Sequence, residues 1–338
     1  MMRPFTRRLR QVLAVALCLA VFGSDAAPGV SRGHRSGSAW TLTSAAPVSG
    51  GGPPLVSLQG VSCVTAEECF AVGSGETSRN ASGVALVEEW NGMSWTISFV
   101  DAVALSRLDA VSCSSPIACV AVGGSGANDA QLTATWNGST WTAQTDTGIG
   151  APEALSCASA TMCIAVGSGA EAWNGVRWTP MRTPQAPDGY ARPQLTGVSC
   201  VSTTWCTAVG SMTHGRRGTG TVPLAERWDG RAWMIEPTEL RTPTLLRRTP
   251  PAEADYVFHA VSCVAVKACV AVGYESDFEA DINPAVPIAG HWNGRIWHIG
   301  PAAGKKGIPL DGISCPSASA CIAVAAGDIT GGSLQIEA

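Results

Sequence analysis

Charge is scarce in this chain. Lys, Arg, Asp and Glu make up 14% of its 338 residues, against about 25% in an ordinary soluble domain. The net charge is −4. Neither a basic patch of the size nucleic acid requires nor a polyacidic tail is present, so nucleic acid is excluded as a partner. Long apolar runs are also lacking. The run near the N-terminus, Val12 to Phe22, has 11 residues, whereas a bilayer span needs about 20; stable membrane insertion is not expected. Histidine is sparse, at 5 residues, and no cysteines sit at the two-to-four-residue spacing of zinc sites. No metal or cofactor is expected. G-x-S-x-G, H-E-x-x-H and P-loop sequences are absent. No segment after the N-terminus shows helical periodicity.

The first residues have the order of an export signal. Arg3, Arg7, Arg8 and Arg10 precede the apolar run, and Ser24, Ala26 and Ala27 follow it. Charged, apolar and small segments in that order mark a signal peptide, expected here over 1–27. Arg7-Arg8 allows a twin-arginine variant. Residues 28–34 read as a flexible segment, and 35–338 as the folded unit. The expected location is secreted.

Of the 13 cysteines, Cys18 lies in the signal. The other twelve form six pairs of identical spacing: Cys63/Cys69, Cys113/Cys119, Cys157/Cys163, Cys200/Cys206, Cys263/Cys269 and Cys315/Cys321. An even count in an exported chain implies disulfides.

These pairs belong to a repeat. It reads V-S-C, five residues, C-x-A-V-G, a variable stretch, then W-N-G-x-x-W. Tryptophan pairs fall at Trp90/Trp95, Trp136/Trp141, Trp173/Trp178, Trp228/Trp233 and Trp292/Trp297. The repeat length, from 43 residues (Cys157 to Cys200) to 63 (Cys200 to Cys263), points to a propeller or array. Each unit offers four strands, exemplified by Leu108–Cys113, Cys119–Gly123, Leu132–Trp136 and Trp141–Gln144. Asn-Gly or Asp-Gly supplies the turn between the last two. The second strand is apolar on both faces, as in Cys163-Ile164-Ala165-Val166, which suits a sheet covered on both sides.

The ends complement each other. Aligned on Leu224–Trp228, Leu334–Ala338 reaches only the first tryptophan position, and Gly37-Ser38-Ala39-Trp40-Thr41 matches Gly138-Ser139-Thr140-Trp141-Thr142. The expected fold is therefore all-β: a six-bladed β-propeller of four-stranded antiparallel blades, one intra-blade disulfide in each, closed by the N-terminal strand. Closure removes an open sheet edge.

The W-N-G-x-x-W hairpin resembles a degenerate Asp-box, the repeat S-x-D-x-G-x-T-W of sialidase-like propellers. Gly138 and Trp141 keep the spacing, while Trp136 replaces the aspartate. The whole repeat is similar to those of secreted actinobacterial propeller proteins. Sialidase activity would imply an arginine triad and a tyrosine nucleophile with an acidic partner. The chain has 3 tyrosines. Tyr256 has Glu253 and Asp255 nearby, with Arg241, Arg247 and Arg248 available, but no local pattern sets them in that arrangement. The balance is against an enzyme.

Loop lengths locate a candidate site. The turns inside C-x5-C and W-N-G-x-x-W never vary. From second cysteine to first tryptophan the separation runs from 10 residues (Cys163 to Trp173) to 23 (Cys269 to Trp292), and the connection between units from 16 (Trp141 to Cys157) to 30 (Trp233 to Cys263). Both variable connections fall on one face, where recognition is expected. Its candidate residues are His214, Arg216 and Arg217 in one loop, Arg241, Arg247, Arg248 and Tyr256 in another, and Tyr274, Asp277, Glu279 and Asp281 in a third. The last could bind calcium but lacks the glycine and final glutamate of an EF-hand; a solvated acidic loop is the alternative. Trp205, inside a disulfide loop, is a candidate exposed aromatic. The repeat tryptophans read as packing residues and Ser62 and Ser112 as structural. The expected function is a monomeric binding or scaffold module for an extracellular protein or cell-envelope glycan. Glycoside hydrolase and purely structural roles are the alternatives.

Overall fold

The computed structural model describes residues 56–75, 83–101, 103, 105–126, 128, 130–146, 148–214, 220–240, 254–277, 285–304 and 306–325. No helix occurs among them. The first repeat forms β1 (Val56–Thr65), β2 (Glu68–Gly75), β3 (Val84–Trp90) and β4 (Trp95–Val100). The second forms β5 (Arg107–Ser115), β6 (Ala118–Ser125), β7 (Ala130–Trp136) and β8 (Trp141–Asp146). The third forms β9 (Ala154–Ser159), β10 (Met162–Val166), β11 (Ala170–Trp173) and β12 (Trp178–Met181). The fourth forms β13 (Tyr190–Ser202), β14 (Trp205–His214), β15 (Thr221–Trp228) and β16 (Trp233–Ile235). A short β17 (Thr238–Leu240) precedes the fifth, which forms β18 (Ala254–Ala265), β19 (Ala268–Asp277), β20 (Val286–Trp292) and β21 (Trp297–Pro301). The hairpin β22 (Gly312–Ser317) and β23 (Ala320–Val324) ends the described chain.

Each of the five full repeats is an antiparallel sheet whose strands pair in chain order. The four expected example strands all lie within observed ones. The fold is that of a β-propeller repeat protein. The expected closing strand around Trp40, the final residues 326–338 and the 1–34 segments lie outside the described residues.

Successive first strands pack against one another, β1 on β5, β5 on β9, β9 on β13, β13 on β18 and β18 on β22. They therefore line the axis. The serine of V-S-C stitches each to the next: Ser62 Oγ accepts the Cys113 N–H at 3.0 Å, and Ser156 that of Cys200 at 2.9 Å. This gives the repeated serine its structural role.

The apolar core lies between blades. One buried cluster joins Phe70, Val72 and Val87 to Leu108, Leu132 and Trp141. Another joins Ile164 and Val166 to Leu195, Leu224 and Trp233. Phe70 lies 5.2 Å from the Trp136 ring and 5.3 Å from Trp141, centroid to centroid. Second tryptophans also reach backwards: Trp178 Nε1 donates to Thr133 Oγ1 of the preceding blade at 2.9 Å. The tryptophans are thus packing residues. Trp205 is not the exposed aromatic expected; it is half-buried against the core of the fourth and fifth blades.

All six disulfides form between the expected partners: Cys63–Cys69, Cys113–Cys119, Cys157–Cys163, Cys200–Cys206, Cys263–Cys269 and Cys315–Cys321. Each joins the first strand of its repeat to the second. The two cysteines of a pair differ in setting. The second one, on the strand covered from both sides, is buried at Cys69, Cys119, Cys163, Cys206 and Cys269. Cys321 departs from this pattern and is half-buried, on the two-stranded hairpin β22–β23. The first cysteines, Cys63, Cys113, Cys157, Cys200 and Cys263, are half-buried throughout, as is Cys315. These twelve residues are clamps within the sheets.

In the tryptophan hairpins glycine alone takes positive φ, as at Gly138 (94°). The asparagine works through its side chain: Asn137 Oδ1 accepts the N–H of Ser139 at 3.0 Å and of Thr140 at 2.9 Å.

Two features depart from the sequence reading. The connection after β16 carries β17, which pairs in parallel with β21 as an extra outer strand of the next blade. The first strands also bulge. Pairing skips one residue between Leu58 and Gly60, Leu108 and Ala110, Leu195 and Gly197, and Phe258 and Ala260. The bulge explains the glycine of C-x-A-V-G. A Cβ on Gly123 would overlap the carbonyl of Arg107, and one on Gly273 that of Val257.

Candidate functional site at the axial mouth

A bulge re-aims the residue it releases. Here that residue stands four positions before the first cysteine. Across the six repeats this position holds Gln59, Asp109, Glu153, Thr196, His259 and Asp311. In the third and sixth repeats Glu153 precedes β9 and Asp311 precedes β22, with no bulge at either. All six are polar, flanked by apolar residues or glycine, and lie on the innermost strands or at their start. They form a polar row across the successive first strands, hereafter the girdle, at the strand end that faces the variable connections.

The girdle is knit across blades. His259 Nδ1 lies 2.8 Å from Asp311 Oδ1 of the next repeat. Gln194 Nε2 donates to Glu153 Oε1 of the preceding one at 2.7 Å. Thr196 Oγ1 donates to the Phe258 carbonyl at 2.6 Å. Arg107 Nε lies 3.1 Å from Asp109 Oδ1. Gln59, Glu153 and Asp311 are exposed. The arrangement offers directed acceptors and donors at a solvent-open mouth. It can hold a polar ligand group by hydrogen bonding. Among the described residues no three His, Cys, Asp or Glu converge as a metal site.

A second layer of polar groups lies inside the sheets. Glu171, fully buried, accepts a hydrogen bond from Gln131 of the preceding blade. Burial pushes its pKa up to about 7 despite that bond. Glu226 is likewise buried and pushed up to about 7 by desolvation. Glu236 accepts from Trp297 Nε1 at 2.7 Å and lies 3.3 Å from Arg227 Nε. Burial still raises it, and Trp297 and then Arg227 oppose the rise. Buried carboxylates are tolerated only with such partners or as the neutral acid.

The predicted loop residues are divided by the structure. His214 ends β14, half-buried, with its ring 5.4 Å from Tyr190. Tyr274 is half-buried and stacks edge-on to the girdle residue His259 at 5.3 Å. Asp277 ends β19 opposite Ala254. Tyr256 points into the core, 3% exposed, and its hydroxyl donates to Glu275 Oε1 at 3.3 Å. Burial first, then Glu275, pushes that hydroxyl up to about 12. It is held as a neutral donor, away from solvent, rather than poised as a nucleophile. Arg216, Arg217, Arg241, Arg247, Arg248, Glu279 and Asp281 lie outside the described residues. The girdle itself was not singled out from sequence. A polar residue four before every first cysteine was its signal.

Comparison with known proteins places the chain by fold. No protein-family model matches it, and no curated protein does. Among solved structures it is similar to U3-55K, with a TM-score of 0.51 and 11% identity over 83% of this chain and 77% of that one. YCF48 from Cyanidioschyzon merolae matches with a TM-score of 0.43 and 14% identity, covering 80% of this chain and 93% of its own. The WD40 beta propeller domain of Doa1 matches at 0.42 and 11% identity, covering 80% and 89%. At these identities the U3-55K likeness concerns the fold alone.

Proposed function

We propose that this chain is a secreted binding propeller of six blades, closed by the strand around Trp40. It acts as a monomer after loss of residues 1–27, with 28–34 as a flexible lead. It recognises an extracellular protein or cell-envelope glycan through the face that carries the long connections, with the axial girdle as its polar floor. The observation that carries this reading is the girdle itself. Each of the six repeats has a polar residue four positions before its first cysteine, on the first strand or just ahead of it, at the end where the connections vary in length. The six disulfides support an oxidising location. The long loops contribute His214, Arg216, Arg217, Arg241, Arg247, Arg248, Tyr274, Asp277, Glu279 and Asp281 as rim residues. No catalytic role is assigned.

The test is a glycan array and an envelope-protein overlay probed with secreted, oxidised protein. Glu153→Ala with Asp311→Ala, and separately Arg247→Ala with Arg248→Ala, are expected to lower binding at least about tenfold. Full binding by both double variants, with unchanged thermal midpoints, would refute this face as the recognition surface.

A further inference from the structure

Among the described residues the opposite end of the blades carries the hairpin tips. In every full blade the first-to-second and third-to-fourth turns are neighbours: Gly92 meets Glu67, Gly138 meets Ile117, Gly175 meets Thr161, Gly230 meets Thr204 and Gly294 meets Lys267. Each blade has the same register at that end, with cysteine opposite cysteine and tryptophan opposite tryptophan, as in Cys113↔Cys119 and Trp136↔Trp141. The serine stitches hold successive first strands level with one another. Equal turns on strands held in step bring the tips of successive blades to one end of the fold.

What stands at that end is unusual for solvated turns. The three most exposed large apolar side chains among the described residues are tip residues: Met93 (84%), Val176 (75%) and Ile117 (68%). Val266, at 46%, is a fourth. Single exposed apolar residues are ordinary. Here all four fall in turns at the same end of the blades, and cations follow two of them directly in sequence. Arg177 follows Val176, Lys267 follows Val266, and Arg231 and Arg295 occupy tips of the fourth and fifth blades, all four exposed. Among the described residues none of these four is in an ion pair, whereas Arg107 and Arg227 are. The carboxylate nearest in sequence, Asp229, is engaged by the backbone N–H groups of Arg231 and Ala232 at 2.8 and 2.9 Å. The first blade carries the opposite sign on this face, with Glu67, Glu68 and Glu89.

We infer that this face docks reversibly on an anionic lipid surface through the tips of the second to fifth blades. Ile117, Val176 and Val266 enter the headgroup layer, and Arg177, Arg231, Lys267 and Arg295 meet lipid phosphates. Interfacial binding combines buried apolar area with attraction to anionic lipid. Both ingredients are present, and the tips that carry them lie at one end of the fold. A soluble polyanion would use the cations and leave the apolar tips without purpose. No strand crosses the bilayer in this mode. The acidic first blade is repelled, so the disc sits tilted. The inference does not depend on the ligand bound by the opposite face.

Co-sedimentation of the full oxidised protein with vesicles tests it. One set is pure phosphatidylcholine and the other contains about one-third phosphatidylglycerol. Binding is expected only to the anionic set and should weaken as salt rises. Lys267→Glu with Arg295→Glu should lower affinity at least about tenfold. Val176→Ser with Val266→Ser should lower it several-fold while keeping the salt dependence. Glu67→Gln with Glu68→Gln should strengthen it. All six positions lie at hairpin tips, and thermal midpoints check that folding is intact. Absence of binding to anionic vesicles at low salt would overturn the inference. So would binding indifferent to both the charge and the apolar pairs. Retention of dextran sulfate, with vesicles ignored, would overturn it in favour of a soluble polyanion.

Discussion

Ser112 Oγ accepts the backbone N–H of Cys157 from the next blade at 2.9 Å. The bond recurs at Ser62 to Cys113, Ser156 to Cys200, Ser199 to Cys263 and Ser262 to Cys315. The Cα atoms of Cys157 and Cys163 are 3.9 Å apart, the close spacing of opposed residues that exchange no backbone hydrogen bonds. The Cys157 N–H therefore points out of its own blade, and removing the acceptor leaves a part-buried amide unmet. Ser112→Ala is expected to cost about 2 kcal/mol, read as a lower urea midpoint with an unchanged slope. A midpoint equal to the parent's would show that water replaces the hydroxyl.

The bulged first strands set a sharper demand on the neighbouring glycines. Gly123→Ala places a methyl group on the Arg107 carbonyl, and rigid sheet backbone cannot yield cheaply. A loss of about 3 kcal/mol is expected. Gly167 is the internal control. It occupies the same repeat position in the third blade, where a Cβ meets only ordinary contacts, the first at 3.5 Å from Glu153 N. Gly167→Ala should leave the thermal midpoint nearly unchanged, and equal losses at both sites would refute the bulge explanation.

The buried carboxylates give stability a direction in pH. Glu171 and Glu226 are raised from 4.5 to about 7 in the fold. A raised acid holds its proton in the native state after the unfolded chain has lost it. The stability it contributes is complete below pH 4.5 and declines as the pH rises to about 7. Thermal midpoints should therefore be higher at about pH 5 than at about pH 8. Glu226→Gln, neutral at every pH, should flatten that slope. A slope that is unchanged in this variant would assign the dependence elsewhere.

Reduction is expected to act additively. Each disulfide closes a short loop worth about 2 kcal/mol in the chain-entropy model. Replacing one pair, Cys113→Ala with Cys119→Ala, should lower the melting temperature by several degrees, and full reduction by far more. Calorimetry with and without reductant makes the comparison. An identical trace for both would show that the bonds add nothing to the native fold.

The blades were legible because their signals are local. C-x5-C fixes one hairpin and W-N-G-x-x-W another, and alternate strands follow from the apolar pattern between them. The site was less legible. Asp109 and His259 look like ordinary alternating surface positions until the slipped register turns them to the axis. Glu171 and Glu226 read as solvent-facing by the same alternation, yet sheets stacked on both sides have no solvent face there. Trp205 breaks the repeat in sequence but packs, half-buried, against the core shared by two blades. Thr238–Leu240 lies in a long variable connection, and only the proximity of β21 converts it to a strand.

The spacing of the cysteines also bears on how the chain matures. Each sulfur finds its partner six residues away, whereas the nearest wrong one along the chain, as from Cys163 to Cys200, is 37 residues off. In the unfolded chain, loop-closure statistics favour the near encounter by about fifteenfold. Each hairpin can thus be oxidised locally, in any order, with little reshuffling of mismatched bridges. Assembly of the blades can then begin from units most of whose covalent bonds are already correct.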